Sequence, residues 1–203
     1  MNPPDPGPER ARAEDPRTAR TKARLRESLL AECASGREPA EVGVSAVVRR
    51  AGVGRATFYL HYEDLTALAV DACAEVVHAA VDALHAWQTG PGSLAPLRPP
   101  AALAEYLASV AGHAALYRSL LLQGGGGPLG ERLHRELAER ARAERSAVGA
   151  PHAELVASAV AGTFTGILAD WLHGLLPDTD PGVLADRIWA LLLALHRALP
   201  PTA

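Results

Sequence analysis

Aromatic residues make up only 4% of this 203-residue chain, cysteine occurs twice, and lysine once, at Lys22. Few aromatics beside abundant Ala and Leu form a helix-building composition with little β signal. No segment alternates apolar and polar residues as a half-buried strand does. Cys33 and Cys73 stand 40 residues apart within helical patterns. That spacing fits neither a disulfide framework nor a paired metal motif, and leaves two buried thiols. The longest uncharged helical stretch, 155–169, has 15 residues, short of the roughly 20 that span a bilayer. The opening MNPPDPGPERARAED is rich in Pro, Arg and acid, unlike a signal peptide. These absences predict an all-α, soluble, cytoplasmic protein with no membrane partner.

Catalytic signatures are missing too. There is no His-Glu-X-X-His and no nucleophile elbow. The eight histidines are scattered. GGGPLG at 125–130 formally fits Gly-X-Gly-X-X-Gly, but it follows a helical pattern rather than a strand, so it does not read as a dinucleotide loop. The expectation is no enzyme activity, no metal and no cofactor.

Charge is unevenly spread. The chain carries −3 overall. Residues 17–62 hold nine basic and four acidic side chains, a local +5 that leaves −8 for the remainder. A basic head on an acidic body is the asymmetry of a nucleic-acid reader with a second domain. The composition divides the chain into a disordered arm at 1–15, a basic helical head at 16–64 and a helical body at 65–203.

Helical periodicity predicts a first helix over 18–34, stopped at Gly36, a second over 44–51 and a third over 55–62. Asp64 is placed to cap a fourth helix over 65–88. Further helices are expected over 100–122 (broken near Gly112), 129–147, 151–175 and 183–199. Between them lie a Pro/Gly loop at 89–100 and a flexible glycine run at 124–127.

The most informative stretch is GVSAVVRRAGVGRATFYLHY, 43–62. Two short helices joined by a Gly-containing turn are the sequence form of a helix-turn-helix, whose second helix enters the major groove of DNA. Val44, Val47 and Val48 point inward, Gly52 supplies the turn, Val53 packs beneath it and Phe58 faces the core. Arg55, Ala56, Thr57, Tyr59, Leu60 and His61 then lie toward solvent or DNA. Arg55 suits a bidentate contact to guanine. Tyr59 and His61 suit phosphate contacts, which position rather than specify.

The block AGVGRATFYLHY, with an Arg-rich helix before it and a long helix after it, resembles the DNA-binding domain of TetR-type bacterial transcriptional regulators. The likeness covers residues 17–70. It implies an all-α homodimer whose three N-terminal helices meet double-stranded DNA, joined by a long helix to a C-terminal helical domain for ligand binding and dimerisation. By position it assigns base-edge reading to Ser45 and to Arg55, Ala56 and Thr57, and phosphate contact to Tyr59 and His61. Three departures stand out. Gly43 and Val44 replace residues that are often hydroxylic, Gly54 replaces the usual hydroxyl or amide cap, and Leu65 replaces a usual Lys.

The last two-thirds say less. The nearly uncharged helix around 153–175 and the run at 183–199 are more apolar than surface helices, so they are expected to pair with their copies as a four-helix bundle. Candidate contacts for an unknown small-molecule effector are His78, His85, Tyr106, Tyr117, Phe164 and Trp171. The function implied is a ligand-responsive repressor bound to a palindromic operator. The alternative is a small-molecule-binding helical protein whose DNA-binding head has weakened or been lost.

Overall fold

A computed structural model describes residues 15–34, 39–88, 99, 101–147, 149–177 and 180–197, and every regular element among them is a helix. α1 spans Pro16–Cys33, α2 Pro39–Ala51, α3 Arg55–Tyr59, α4 Leu65–Gln88, α5 Ala101–Gly112, α6 Ala114–Leu120, α7 Gly127–Ala147, α8 Ala153–Leu172 and α9 Pro181–Arg197. A single 3-10 turn, Gln123–Gly125, leads into α7.

The first three helices form because caps and apolar spacing agree. Pro16 opens α1, where its missing N–H is no loss. The Asp15 side chain accepts a hydrogen bond from the Arg17 amide at 2.9 Å. Leu25, Leu29 and Cys33 recur at helical spacing and are fully buried against α2 and α4. Ahead of the helix that the valine pattern predicts stands a further turn from Pro39, and the two meet at a non-helical break at Gly43 (φ 67°, ψ 145°). That backbone conformation is strained for a residue with a Cβ. Glycine at this position therefore sets the bend between Val42, which is buried, and the helical run that carries Ser45. The third helix is shorter than expected and stops at Tyr59 instead of continuing to Tyr62. The His61 and Tyr62 amides both donate to the Phe58 carbonyl at 3.0 Å, which tightens the chain and leaves Tyr62 buried.

α4 is the spine. Asp64 caps it as the sequence predicts, accepting from the Ala67 amide at 2.7 Å. It packs against α1 and α2 at one end and against α5, α6 and α7 beyond. The expected helix over 100–122 is two helices, divided at Gly112 and His113. Leu103, Leu107, Leu116, Leu120, Leu133 and Leu168 are buried in the core that α5 to α8 build with α4.

The glycine run at 124–127 is a packing device. A Cβ on Gly125 would lie 3.2 Å from the Gly166 amide nitrogen and 3.2 Å from the Thr165 carbonyl carbon, so the 3-10 turn lies directly on the α8 backbone. Gly162 meets α7, with His134 Cε1 3.8 Å from where its Cβ would be. The small residues of α8 thus serve close packing within the chain.

α8 is also longer than the uncharged stretch read from the sequence. At 20 residues and a mean hydropathy of 1.5, it is the one helix among the described residues long and apolar enough to cross a membrane. One face, including Val156, Ala161, Phe164 and Leu168, is buried, and the helix packs on α7, α9 and the 3-10 turn.

Candidate nucleic-acid interface

The turn between α2 and α3 is fixed by three devices. Gly52 takes φ 63°, the left-handed conformation that ends helices. The Val53 amide donates to the Val48 carbonyl at 3.0 Å, and the Gly52 amide donates to the Arg49 carbonyl at 3.3 Å. This pair is the Schellman pattern, and it brings Val53 back toward Val48. Arg24 of α1 completes the end: its Nη2 donates to the Ala51 carbonyl and, at 3.4 Å, to the Gly52 carbonyl. A cation at a helix C-terminus also meets the negative end of the helix dipole.

α3 then projects its side chains in two directions. Phe58 is fully buried. It stacks edge-on against Tyr59 (centroids 5.2 Å, 86°) and tilted against Tyr62 (6.0 Å). On the other side Arg55 and Ala56 are exposed, Thr57 and His61 are half-buried, Tyr59 is 54% exposed and Leu60 80% exposed. Ser45 is exposed on α2. The seven residues singled out in the sequence therefore lie on the α2–α3 unit with side chains at least partly accessible. Gly54 supplies no side-chain cap to α3. Leu65 is half-buried against the core.

Several of the basic residues, Arg24 and Arg50 among the exposed ones, are engaged within the fold. Arg24 is occupied at the end of α2. Arg50 reaches Glu32 at 3.3 Å. Arg26 pairs with Asp71 at 3.1 Å and with Glu75 at 3.7 Å. Arg17, Arg20, Arg49 and Arg55 are exposed.

Asp71 is the main feature that sequence reasoning missed. It accepts from the Tyr62 hydroxyl just beyond α3 (2.6 Å), from the Arg26 guanidinium of α1 (3.1 Å) and from Arg132 of α7 (3.2 Å). Burial alone would raise its carboxyl pKa. The hydrogen bonds from Tyr62 and Arg26 and the charges of Arg26 and Arg132 outweigh that and hold it below its ordinary value. Burial and the neighbouring carboxylate push the Tyr62 hydroxyl up. One signal was available: Asp71 is the single charged residue in the apolar run LTALAVDACA, 65–74. A lone charge on a helix that is otherwise buried needs partners.

The predicted effector contacts fall into separate groups. Tyr106, Tyr117 and Phe164 are buried in the core of α4 to α8, with the Tyr106 and Phe164 rings 6.1 Å apart. Trp171 is half-buried and lines an open cleft of about 490 Å³ with Arg118, Leu172, His173, Gly174 and Leu176. Tyr106, Tyr117 and Phe164 do not line that cleft. The side chains of His78 and His85 lie outside the described residues. Among the described residues no three His, Cys, Asp or Glu side chains gather to hold a metal ion. Neither a scan against protein-family models nor a search of curated proteins returns a match to this chain.

Proposed function

We propose that the chain is a ligand-responsive, DNA-binding transcriptional regulator of the TetR type, acting as a homodimer on a palindromic operator. One observation carries the reading. Arg55, Ala56, Tyr59 and Leu60 form an accessible edge on a short helix whose opposite side is anchored by Phe58 at full burial. The turn before it is held by backbone bonds and by Arg24. A short, rigidly mounted helix with one arginine and small neighbours suits insertion into a major groove, and Arg55 suits guanine.

Exposed Leu155 on α8 and exposed Val183 and Leu191 on α9 support the dimer. Two reading helices must then meet successive major grooves about 34–36 Å apart. An effector regulates only by binding the two spacings of those helices with different affinity. The rival reading, a ligand-binding protein with a lost DNA head, draws on Gly54, which gives α3 no side-chain cap.

Selection of bound fragments from random DNA separates the two. The regulator yields a palindromic site with strong salt dependence, and Arg55→Ala relaxes preference at one base pair per half-site by about 1–3 kcal/mol. Absence of any enriched sequence at low salt refutes the regulator and leaves the rival.

A further inference from the structure

The core of the C-terminal helices contains two tyrosine hydroxyls that reach no oxygen or nitrogen partner, and beside that of Tyr117 the one hydrogen-bonding neighbour is the Cys73 thiol. Tyr106 is 3% exposed and Tyr117 1% exposed, and neither hydroxyl reaches an oxygen or nitrogen partner. Buried side-chain polar atoms are nearly always paired, because desolvation without a new hydrogen bond is unfavourable. Tyr62 shows the ordinary solution in the same chain, giving its hydroxyl to Asp71.

The two tyrosines also share one buried core, which α5 and α6 build with α4. Tyr106 and Tyr117 are eleven residues apart, which on one straight helix is about 16 Å. The break at Gly112 and His113 turns the chain between them. Both hydroxyls come within electrostatic reach of the Cys73 thiol of α4. A thiol is only a weak hydrogen-bonding group. Phe164 of α8 adds a ring beside Tyr106. Four helices thus contribute two phenolic donors, a thiol and an aromatic face.

The charge of an occupant follows from what is missing around it. Among the described residues the buried polar side chains are Ser28, Arg145 and Thr165. Arg145 donates to the Pro151 carbonyl and Thr165 to the Ala161 carbonyl, while Ser28 lies on α1. Among the described residues the one buried cation is Arg145, already engaged at the Pro151 carbonyl, so a carboxylate beside the tyrosines would have no other described cation to meet it, and an unpaired buried charge is strongly disfavoured.

We infer that Tyr106 and Tyr117 are the recognition groups for the effector, and that the effector is a neutral, mainly apolar molecule presenting a carbonyl oxygen to their hydroxyls. Burial, followed by the neighbouring Cys73, keeps both phenols protonated far above neutral pH, so each donates and the ligand accepts. Cys73 is two residues from Asp71 on α4. An occupant pressing on this part of α4 acts beside the carboxylate that holds Tyr62 and Arg26. This inference rests on the regulator reading for its regulatory consequence, and on the buried hydroxyls alone for its binding chemistry.

Three probes of one skeleton test it: 4-phenylbutan-2-one, butylbenzene and 4-phenylbutanoate. Thermal unfolding and calorimetric titration of the full chain are followed for wild type, Tyr106→Phe, Tyr117→Phe and the double variant. Expected is a Tm rise with the ketone, a smaller one with the hydrocarbon and none with the carboxylate. Both Phe variants are expected to unfold at or above the wild-type temperature without ligand, since an unpaired hydroxyl is removed. The double variant should bind the ketone at least ten-fold more weakly and the hydrocarbon unchanged. Equal ketone affinity in the double variant, preference for the carboxylate, or loss of stability in both single variants each overturns the inference. A protein that binds the ketone as stated but enriches no DNA refutes the regulator reading and leaves this one standing. Operator binding without any effect of the three probes does the reverse.

Discussion

The Tyr62 hydroxyl donates to the Asp71 carboxylate across 2.6 Å, nine residues along the chain. The bond joins the end of the α3 segment to the spine helix, and the same carboxylate receives Arg26 of α1 and Arg132 of α7. One side chain thus ties the candidate reading helices to the rest of the molecule. Removing it takes the shared carboxylate from two guanidiniums that are 18% and 26% exposed, and leaves Arg26 only Glu75 at 3.7 Å and Arg132 only Glu136 at 3.0 Å. Asp71→Asn is expected to destabilise by about 1–3 kcal/mol and Tyr62→Phe by about 1 kcal/mol, as hydrogen bonds to charged and neutral groups do. A double-mutant cycle in urea unfolding should show the two losses to be less than additive. Full additivity would mean that the bond contributes nothing.

The same groups set a pH window. The folded Asp71 pKa lies below its ordinary value of 3.8. Its stabilisation is therefore complete above that value and is lost as pH falls through the folded one. Stability should decline below about pH 4, and Asp71→Asn should flatten that limb. At the other extreme, burial pushes the Cys73 thiol from 9.0 up to about 12. A raised pKa in a group that is neutral when protonated stabilises below the unfolded value and is lost as pH rises toward the folded one. Unfolding monitored from pH 8 to 12 should show loss of stability beginning near 9. Cys73→Ala should move the onset toward 10, where Tyr62, Tyr106 and Tyr117, all raised, take over.

Gly52 is the residue on which the turn depends. At φ 63° a Cβ is strained, and it would lie 2.8 Å from Arg24 Nη2. Gly52→Ala should cost about 1–2 kcal/mol from backbone strain alone. Displacement of Arg24 from the end of α2 adds to that loss. Asn tolerates the left-handed region better, so Gly52→Asn should lose less than Gly52→Ala. Equal losses in chemical denaturation would place the penalty in the Arg24 contact instead.

Much of this architecture was legible in local pattern. Asp64 before an apolar stripe marked the start of α4, and Gly52 marked the turn, because both signals act within a few residues. Phe58 inward with Tyr59 and Leu60 outward followed from helical spacing. What escaped was non-local. Arg24 looked like one more member of a basic face, yet its partner carbonyls are 27 and 28 residues away. Arg132 meets Asp71 across 61 residues, a distance at which single-chain periodicity carries no information. The run at 124–127 read as a flexible break because four glycines are permissive in isolation. Only the nearness of Gly166 and Thr165 shows that Gly125 is small to fit α8. Tyr106, Tyr117 and Phe164 are buried in one core whereas Trp171 lines a separate surface cleft, a division that spacing along the chain does not reveal.

The outward face of α8 and α9 supplies the last prediction. Leu155 is 63% exposed, Val183 44% and Leu191 49%, on two adjoining helices. Fully burying a leucine is worth about 1.5–3 kcal/mol, and a two-fold axis applies each gain twice. If these side chains form the dimer seam, Leu155→Glu with Leu191→Glu should convert the protein to a folded monomer. Sedimentation should then give half the wild-type mass at micromolar concentration, with the helical circular dichroism signal preserved. Operator affinity should fall by at least two orders of magnitude, because one reading helix then binds without the other. A wild-type protein already monomeric under those conditions would remove the dimer from the account. A double variant that stays dimeric would place the seam on another face.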